Sequence, residues 1–380
     1  MKKILIIFPD QWLSYSPTVI NIFNLLSEKF DVEVVTLEVE INSRPACVRY
    51  ENSQIHYVKF PRIPKLLWRV LCKLEAIYNK SLVKYFKEVS VFKIIQASVL
   101  FLRCREFKAD EVIGVDAVGF YVAQAIFKKA HFVSLEITTN DIFYQKLIEN
   151  VSKIKTVVIQ SQERLGLLNL PLKKEQKIFL VQNAPIYSEN TETPSFNGKM
   201  IYFGSGNLAM GTKYLFDYFT QYKSYSLMFK GLFDAKLLNI NFPGIKAQEN
   251  ICFDDSYTST KDIQKYLRDY SIGLCFYDFN YIAESSRQNM LYGPSGKIFN
   301  YLAAGLPVIA LDIPGFKIIN DYAAGVLLRE PTPENIDKAI EQIRSSYNNY
   351  SANAKEAAKN YCFKKDFLPF LEHVNGGVAA

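Results

Sequence analysis

Residues 293–315, GPSGKIFNYLAAGLPVIALDIPG, predict a loop, a helix, an abrupt stop and a buried strand in succession. Ser295 precedes apolar residues at helical spacing, and serine is a favoured residue at the start of a helix. Gly305 can adopt the left-handed backbone that ends a helix, and Pro307 prevents the helix from continuing. The apolar run at 308–311 is typical of a strand buried on both faces of a parallel sheet. This stretch therefore indicates an α/β fold.

The first turn of this helix has the residues of an anion site. Backbone N–H groups at a helix N-terminus have no partner within the helix and attract negative charge, and here they follow Ser295 and Gly296. Lys297 adds a positive charge, and Asn300 lies one turn further on, where its amide would reach a sugar hydroxyl. The same residues also fit an ordinary capped helix with a solvated lysine.

The complete phrase resembles the donor-site segment of GT-B-fold glycosyltransferases, of the type that builds bacterial surface polysaccharides. That segment follows the string K-x-x-E-Y-x-A-x-G-x-P-V-I, which this chain matches at Lys297, Tyr301, Ala303, Gly305, Pro307, Val308 and Ile309. It departs at Asn300 and Tyr292, where many of those enzymes have glutamate. The resemblance implies two facing Rossmann-like domains with a cleft between them, and transfer of a hexose from a nucleotide sugar.

The composition is that of a globular protein long enough for two cores, with 380 residues, of which 49% are hydrophobic and 22% are charged. The six cysteines form no Cys-x-x-Cys pair and the three histidines are far apart, so we expect no zinc site and reduced thiols in a cytosolic protein. The apolar run near the start stops at Pro9, which is too early for a signal peptide, and no stretch reaches the length of a membrane span.

Strand and helix patterns alternate along the chain and restart once, after a polar stretch rich in Ser, Thr and Asn. We expect an acceptor-binding Rossmann-like domain at 1–190, a linker at 191–199 and a nucleotide-sugar-binding Rossmann-like domain at 200–362. A tail helix at 363–380 would pack back on the first domain.

Ligands of parallel sheets bind beyond the carboxyl ends of the strands, so the residues that follow strands are the candidates for the site. In the second half the donor-binding candidates are Gly204, Ser205, Lys230, Ser295, Gly296, Lys297 and Asn300. In the first half Asp116 and Glu136 follow strands and could accept the proton of an attacking hydroxyl. Asp116 also fits a plain cap for the helix that begins at Ala117.

The net charge of +7 is concentrated between Lys59 and Lys108, where twelve Lys or Arg and three Glu give a local charge of +9. Two helical runs in this segment, 65–74 and 81–104, mix apolar and basic residues. They fit either solvated helices that pack on a core or helices whose basic face lies on anionic lipid. Binding of nucleic acid is a third alternative, but no motif of a nucleic-acid-binding module accompanies the charge. The membrane-facing candidates are Lys65, Trp68, Arg69 and Lys73.

These features together favour a glycosyltransferase that moves a hexose from a UDP-sugar to a lipid-linked or surface-glycan precursor. No Asp-x-Asp motif is present, which agrees with metal-independent chemistry, and we expect no cofactor besides the donor and no nucleic acid partner. The enzyme would be cytoplasmic and peripheral on the inner face of the plasma membrane. Two alternatives remain open: a sugar-nucleotide epimerase of the same fold, and a non-catalytic partner subunit that binds a nucleotide sugar.

Overall fold

The computed structural model of the chain describes residues 1–38, 48–82, 90–186 and 194–376. Its contacts form two compact units, one comprising Met1–Val181 with Asp366–Ala380 and the other comprising Gln182–Lys365. Each unit contains one sheet of parallel strands that alternate with helices, so the predicted α/β class is confirmed. The linker predicted at 191–199 lies partly outside the described residues, because the description of the second unit resumes at Pro194.

The first unit has a seven-stranded sheet in the order β3-β2-β1-β4-β5-β6-β7. Its strands are β1 (Lys3–Phe8), β2 (Asp31–Glu38), β3 (Ile55–Lys59), β4 (Glu111–Val115), β5 (Ala130–Ser134), β6 (Ile154–Ile159) and β7 (Lys177–Leu180). Its helices are α1 (Pro17–Ser27), α2 (Lys65–Leu82), α3 (Val91–Cys104), α4 (Asp116–Ile126), α5 (Ile142–Glu149) and α6 (Gln162–Leu168). The central strands are continuous apolar runs because helices cover both faces of the sheet.

The second unit has a six-stranded sheet in the order β10-β9-β8-β11-β12-β13. Its strands are β8 (Lys199–Phe203), β9 (Ser226–Lys230), β10 (Ile251–Asp254), β11 (Ile272–Cys275), β12 (Val308–Leu311) and β13 (Gly325–Leu328). Its helices are α7 (Thr212–Gln221), α8 (Ala235–Asn241), α9 (Ile263–Leu267), α10 (Glu284–Tyr292), α11 (Gly296–Ala303), α12 (Ile318–Asp321), α13 (Pro333–Ser345) and α14 (Tyr347–Asn360).

A last helix, α15 (Phe363–Val374), begins in the second unit and ends in the first. Near its end the carbonyl of Val374 accepts a hydrogen bond from Lys2 Nζ at 2.8 Å. The ring of Phe370 meets the edge of the buried His131 ring, with centroids 5.2 Å apart. The side chain of Lys2 and the end of α15 are therefore joined within the first unit.

The stretch that indicated the fold has the conformation expected of it. α11 ends at Ala303, Gly305 has a φ of +77°, and all four residues of β12 are buried. The second basic run is different from the prediction, because it is not one helix from Ser81 to Cys104. Ser90 is extended and caps α3 by accepting a hydrogen bond from the N–H of Lys93 at 3.4 Å. Lys84 and Lys87 of this segment, and the side chain of Lys65, lie outside the description.

Candidate functional site

In the second unit the sheet order reverses between β8 and β11, which are neighbours, and ligands of such sheets bind at this switch point. The loop after β8 begins with Gly204, whose φ of +153° is disfavoured for residues that carry a side chain. A Cβ on Gly204 would lie 3.0 Å from Lys297 Nζ. The structure thus brings together two predicted donor-site residues that are far apart in the sequence.

Lys297 lies in the first turn of α11 and its ammonium is held by two aromatic rings. Its Nζ is 4.5 Å from the centroid of Tyr202 and 5.9 Å from that of Tyr277, and it is 3.4 Å from the Tyr202 hydroxyl. Burial raises the pKa of both tyrosines, so neither ring supplies a negative charge near neutral pH. Among the described residues no carboxylate forms an ion pair with Lys297. The side chain is therefore a positioned, half-buried cation that can take an anionic ligand as its partner.

Ser295 comes directly before α11, but its side chain makes no capping hydrogen bond, contrary to the sequence expectation. Its carbonyl instead accepts the N–H of Ile298 at 3.0 Å. The hydroxyl interacts with Cys275, the last residue of β11, and with Tyr277, two residues further on. The N–H groups of Gly296 and Lys297 point out of the helix by its geometry, since the first residues of a helix have no acceptor one turn earlier.

The predicted sugar contact, Asn300, is half-buried and its Nδ2 donates to the carbonyl of Gly296 at 2.9 Å. This bond stays within the helix and leaves the amide oxygen as the group that can accept from a ligand. Ser205 was also predicted to bind the nucleotide sugar. Its carbonyl accepts a hydrogen bond from the Tyr202 hydroxyl at 2.7 Å, and its Oγ accepts one from Asn207 Nδ2 at 3.0 Å.

Lys230 is 1% exposed, and its three ammonium protons already have acceptors. Its Nζ pairs with Asp254 Oδ2 at 2.8 Å and donates to the carbonyl of Ser256 at 2.5 Å and to its Oγ at 2.7 Å. The ammonium also lies 5.1 Å from the centre of the Tyr266 ring and holds the pKa of Asp254 well below its usual range. This network neutralises the charge of Lys230 inside the protein, and its predicted contact with the donor stays a prediction.

In the first unit the sheet order reverses between β1 and β4, and Asp116 directly follows β4. Asp116 has a φ of +52°, a conformation that non-glycine residues seldom adopt and that is concentrated at functional sites. The alternative that Asp116 is an ordinary helix cap is wrong, because α4 already begins at Asp116 and Val115 is the cap residue. Its Oδ1 accepts instead from the N–H groups of Leu135 at 2.7 Å and Glu136 at 2.9 Å.

The surroundings of Asp116 raise its pKa to about 7. Burial is the main cause and the negative charge of Glu136 adds to it, while the two backbone N–H groups and Arg164 act in the opposite direction. Glu136, the second predicted catalytic residue, is exposed in the loop after β5. Asp116 is therefore a carboxyl group that changes its protonation near neutral pH at the edge of the sheet where ligands bind.

Sequence reasoning missed three residues of these two edges: Tyr202, Tyr277 and Arg164. Tyr202 lies within a strand, Tyr277 follows one, and both read as core residues. Arg164 follows a helix cap, where arginine is normally solvated. Only the tertiary contacts distinguish them, and the sequence carries no signal for their roles.

The helix α2 in the first unit exposes an apolar face. Leu66, Val70, Leu74 and Ile77 recur at spacings of four and three residues, and they are 75%, 45%, 57% and 62% exposed. The next row round the helix is basic and exposed, and it consists of Arg69, Lys73 and Lys80. No helix within the described residues is long and apolar enough to cross a membrane.

Trp68, which the sequence suggested for this surface, lies on the other side of α2. It is half-buried with Leu71, Glu75 and Tyr78, on the side where Glu75 Oε2 accepts the N–H of Val91 at 2.9 Å. Trp68 therefore shares a face of α2 with Glu75, which bonds the start of α3, and the exposed apolar face is built from aliphatic residues.

Comparison with solved structures identifies the architecture. Sucrose-phosphate synthase from Thermosynechococcus elongatus has a TM-score of 0.65 with 11% identity over 99% of each chain. A TarM variant from S. aureus in complex with fondaparinux, α-GlcNAc-glycerol and UDP scores 0.64 with 12% identity, over 99% of this chain and 100% of that one. Anabaena HepE in complex with UDP and glucose scores 0.65 with 11% identity, also over 99% and 100%. The chain has the GT-B fold.

No family model and no curated protein matches the sequence. At identities of 11–12% the likeness shows the fold, and the chemistry of this GT-B chain has to be argued from its own residues. Those residues lie at the switch points of its two sheets.

Proposed function

We propose that this protein is a metal-independent glycosyltransferase that uses a UDP-sugar. The observation that carries the proposal is Lys297, a positioned cation at a helix N-terminus that has no carboxylate partner among the described residues. A nucleoside diphosphate fits this arrangement because its phosphates would be bound by the ammonium and by the first N–H groups of α11. The similar structures of TarM and HepE, which contain UDP, support the choice of nucleotide.

The leaving group gains negative charge as the glycosidic bond breaks, so donors fixed at that position stabilise the transition state more than the ground state. Lys297 and the α11 N–H groups would supply this stabilisation without a metal ion. Asn300 would accept a hydrogen bond from the sugar through its amide oxygen. The backbone at Gly204 and Ser205 would approach the donor from the loop after β8.

Asp116 is proposed as the general base that takes the proton of the attacking hydroxyl. A base is most effective when its pKa lies near the working pH, and the pKa of Asp116 is raised to about 7. Its left-handed backbone is maintained by the bonds to residues 135 and 136, which suits a group that must be held in place. Glu136 would act on this base through its charge.

For the acceptor we propose a lipid-linked glycan precursor, reached from the cytoplasmic side of the plasma membrane. The support is the exposed apolar face of α2 with the basic row beside it, a combination suited to the boundary of an anionic leaflet. The aliphatic residues would enter the boundary and the cations would contact lipid phosphates. The proposed partner of the exposed face of α2 is therefore an anionic membrane.

The function is tested by calorimetric titration with UDP and a panel of UDP-sugars, followed by a UDP-release assay with lipid extract as acceptor. Binding together with acceptor-dependent release confirms a transferase. Binding without release from any donor indicates the non-catalytic subunit, and conversion of the donor sugar without an acceptor indicates the epimerase. Absence of nucleotide binding refutes the proposal.

A further inference from the structure

Arg164 is a buried cation that the proposed chemistry does not use. It is 1% exposed and lies in the first turn of α6, where its N–H donates to the Oγ of Ser161 at 3.3 Å. A buried guanidinium is costly unless anions and hydrogen-bond acceptors surround it. The position of Arg164 therefore depends on what its head group contacts.

The contacts lead directly to Asp116. The guanidinium of Arg164 donates to the carbonyl of Leu135 at 2.6 Å, and the N–H of the same residue donates to Asp116 Oδ1 at 2.7 Å. The next N–H, of Glu136, binds the same carboxylate oxygen at 2.9 Å. Residues 135 and 136 thus form a bridge with Arg164 on one side and Asp116 on the other.

Charge acts along the same path. Burial lowers the pKa of Arg164, and the charges of Glu136 and Asp116 oppose that decrease. For Asp116 the nearby charges are Glu136, from the loop after β5, and Arg164, from α6, and α4 itself contains no other charged residue. Asp116 is therefore balanced between one carboxylate that disfavours its ionisation and one buried cation that favours it.

We propose that Arg164 is a positioning residue for Asp116, which fixes the 135–136 bridge and favours the ionised form of the Asp116 carboxylate. This inference rests on the proposed role of Asp116 as the base. It predicts that the working pH of the enzyme depends on a residue that touches neither donor nor acceptor.

The test is a carboxyl ¹³C NMR titration of the full chain labelled at aspartate, with the Asp116 signal assigned from its absence in Asp116→Asn. Arg164→Gln should raise the pKa of Asp116 by about 1 or more, since a nearby opposite charge typically lowers a carboxyl pKa by 1–3. Arg164→Lys retains the charge and should restore most of the difference. Glu136→Gln, at an exposed position that tolerates change, should shift the pKa of Asp116 downward.

The acidic limb of the pH–rate profile should move in the same directions as the NMR pKa values. An unchanged Asp116 titration in folded Arg164→Gln, or equal activity loss at every pH, would reduce Arg164 to a structural residue and overturn the proposal. If Arg164→Gln does not fold, Arg164→Met, which keeps an unbranched side chain without the charge, takes its place, and an Asp116 pKa equal to that of the wild type overturns the proposal. The NMR measurement needs no activity, so shifted titrations in a protein without transfer would refute the function and still establish the coupling of Arg164 to Asp116.

Discussion

Replacing Lys297 by alanine should weaken nucleotide binding while leaving the fold intact. The ammonium has contacts with the rings of Tyr202 and Tyr277, and no ion pair among the described residues is lost when it is removed. The loss of a cation–π contact costs about 0.5–2 kcal/mol of folding stability. Removing a positive charge from a helix N-terminus returns about 0.3–1 kcal/mol, so the net change in stability should be small.

The effect on the ligand should be larger. A hydrogen bond to a charged group contributes about 1.5–3 kcal/mol. Applied to one phosphate contact of Lys297, this corresponds to a Kd for UDP that is about 10- to 150-fold higher in Lys297→Ala. The loss should be similar for UDP and for the preferred UDP-sugar, because both carry the diphosphate that the lysine is proposed to bind.

Isothermal titration calorimetry with UDP measures this difference, and thermal unfolding checks that the variant is folded. Lys338→Ala is the matched control, since Lys338 is an exposed lysine on α13 of the same unit. The control should bind UDP like the wild type. If folded Lys297→Ala binds UDP as tightly as the control does, the diphosphate does not bind at the start of α11 and the reasoning is refuted.

Four further predictions concern the other parts of the molecule. Asp116→Asn should abolish transfer and retain UDP affinity and most of the stability. The asparagine oxygen can accept the same two N–H groups, and asparagine tolerates a positive φ. Full turnover in this variant would exclude Asp116 as the base. In the wild type kcat/KM should rise with pH through about 7, since a base acts in its deprotonated form, and a profile that is flat between pH 5 and 8 would contradict the assignment. Binding to anionic vesicles should fall at high salt, because salt screens the attraction between the basic row and lipid phosphates. It should also fall when Leu66, Val70 and Leu74 of the apolar face are replaced by glutamine. Equal sedimentation with neutral and anionic vesicles would show that the positive charge serves another purpose. Gly231→Ala should lower the free energy of unfolding by more than about 1 kcal/mol. The backbone at position 231 has a φ of +139°, and the new Cβ would lie 2.1 Å from the carbonyl oxygen of Gly204. An unchanged melting temperature would show that the loops after β8 and β9 can separate.

Local chemistry was sufficient for the elements of the fold. Continuous apolar runs indicated buried parallel strands, and the glycine and proline at 305 and 307 indicated where α11 ends. Such signals involve residues that are neighbours in the chain, so one sequence contains all of the information they need. The GT-B fold followed from the resemblance to those enzymes, and the comparison with solved structures bears it out.

The use of each charged residue was decided by the tertiary structure. In the sequence Lys230 is simply a lysine at the end of a strand, but its charge is neutralised by an ion pair with Asp254, 24 positions later. Asp116 reads as a helix cap until its bonds to residues 135 and 136 are seen. The spacing of apolar residues in α2 shows that they share a face, but not whether that face is buried or exposed. The periodicity of a sequence shows which residues lie on the same side of a helix or strand. The group that neutralises a charge or covers a face belongs to a distant segment, and only folding brings that segment close.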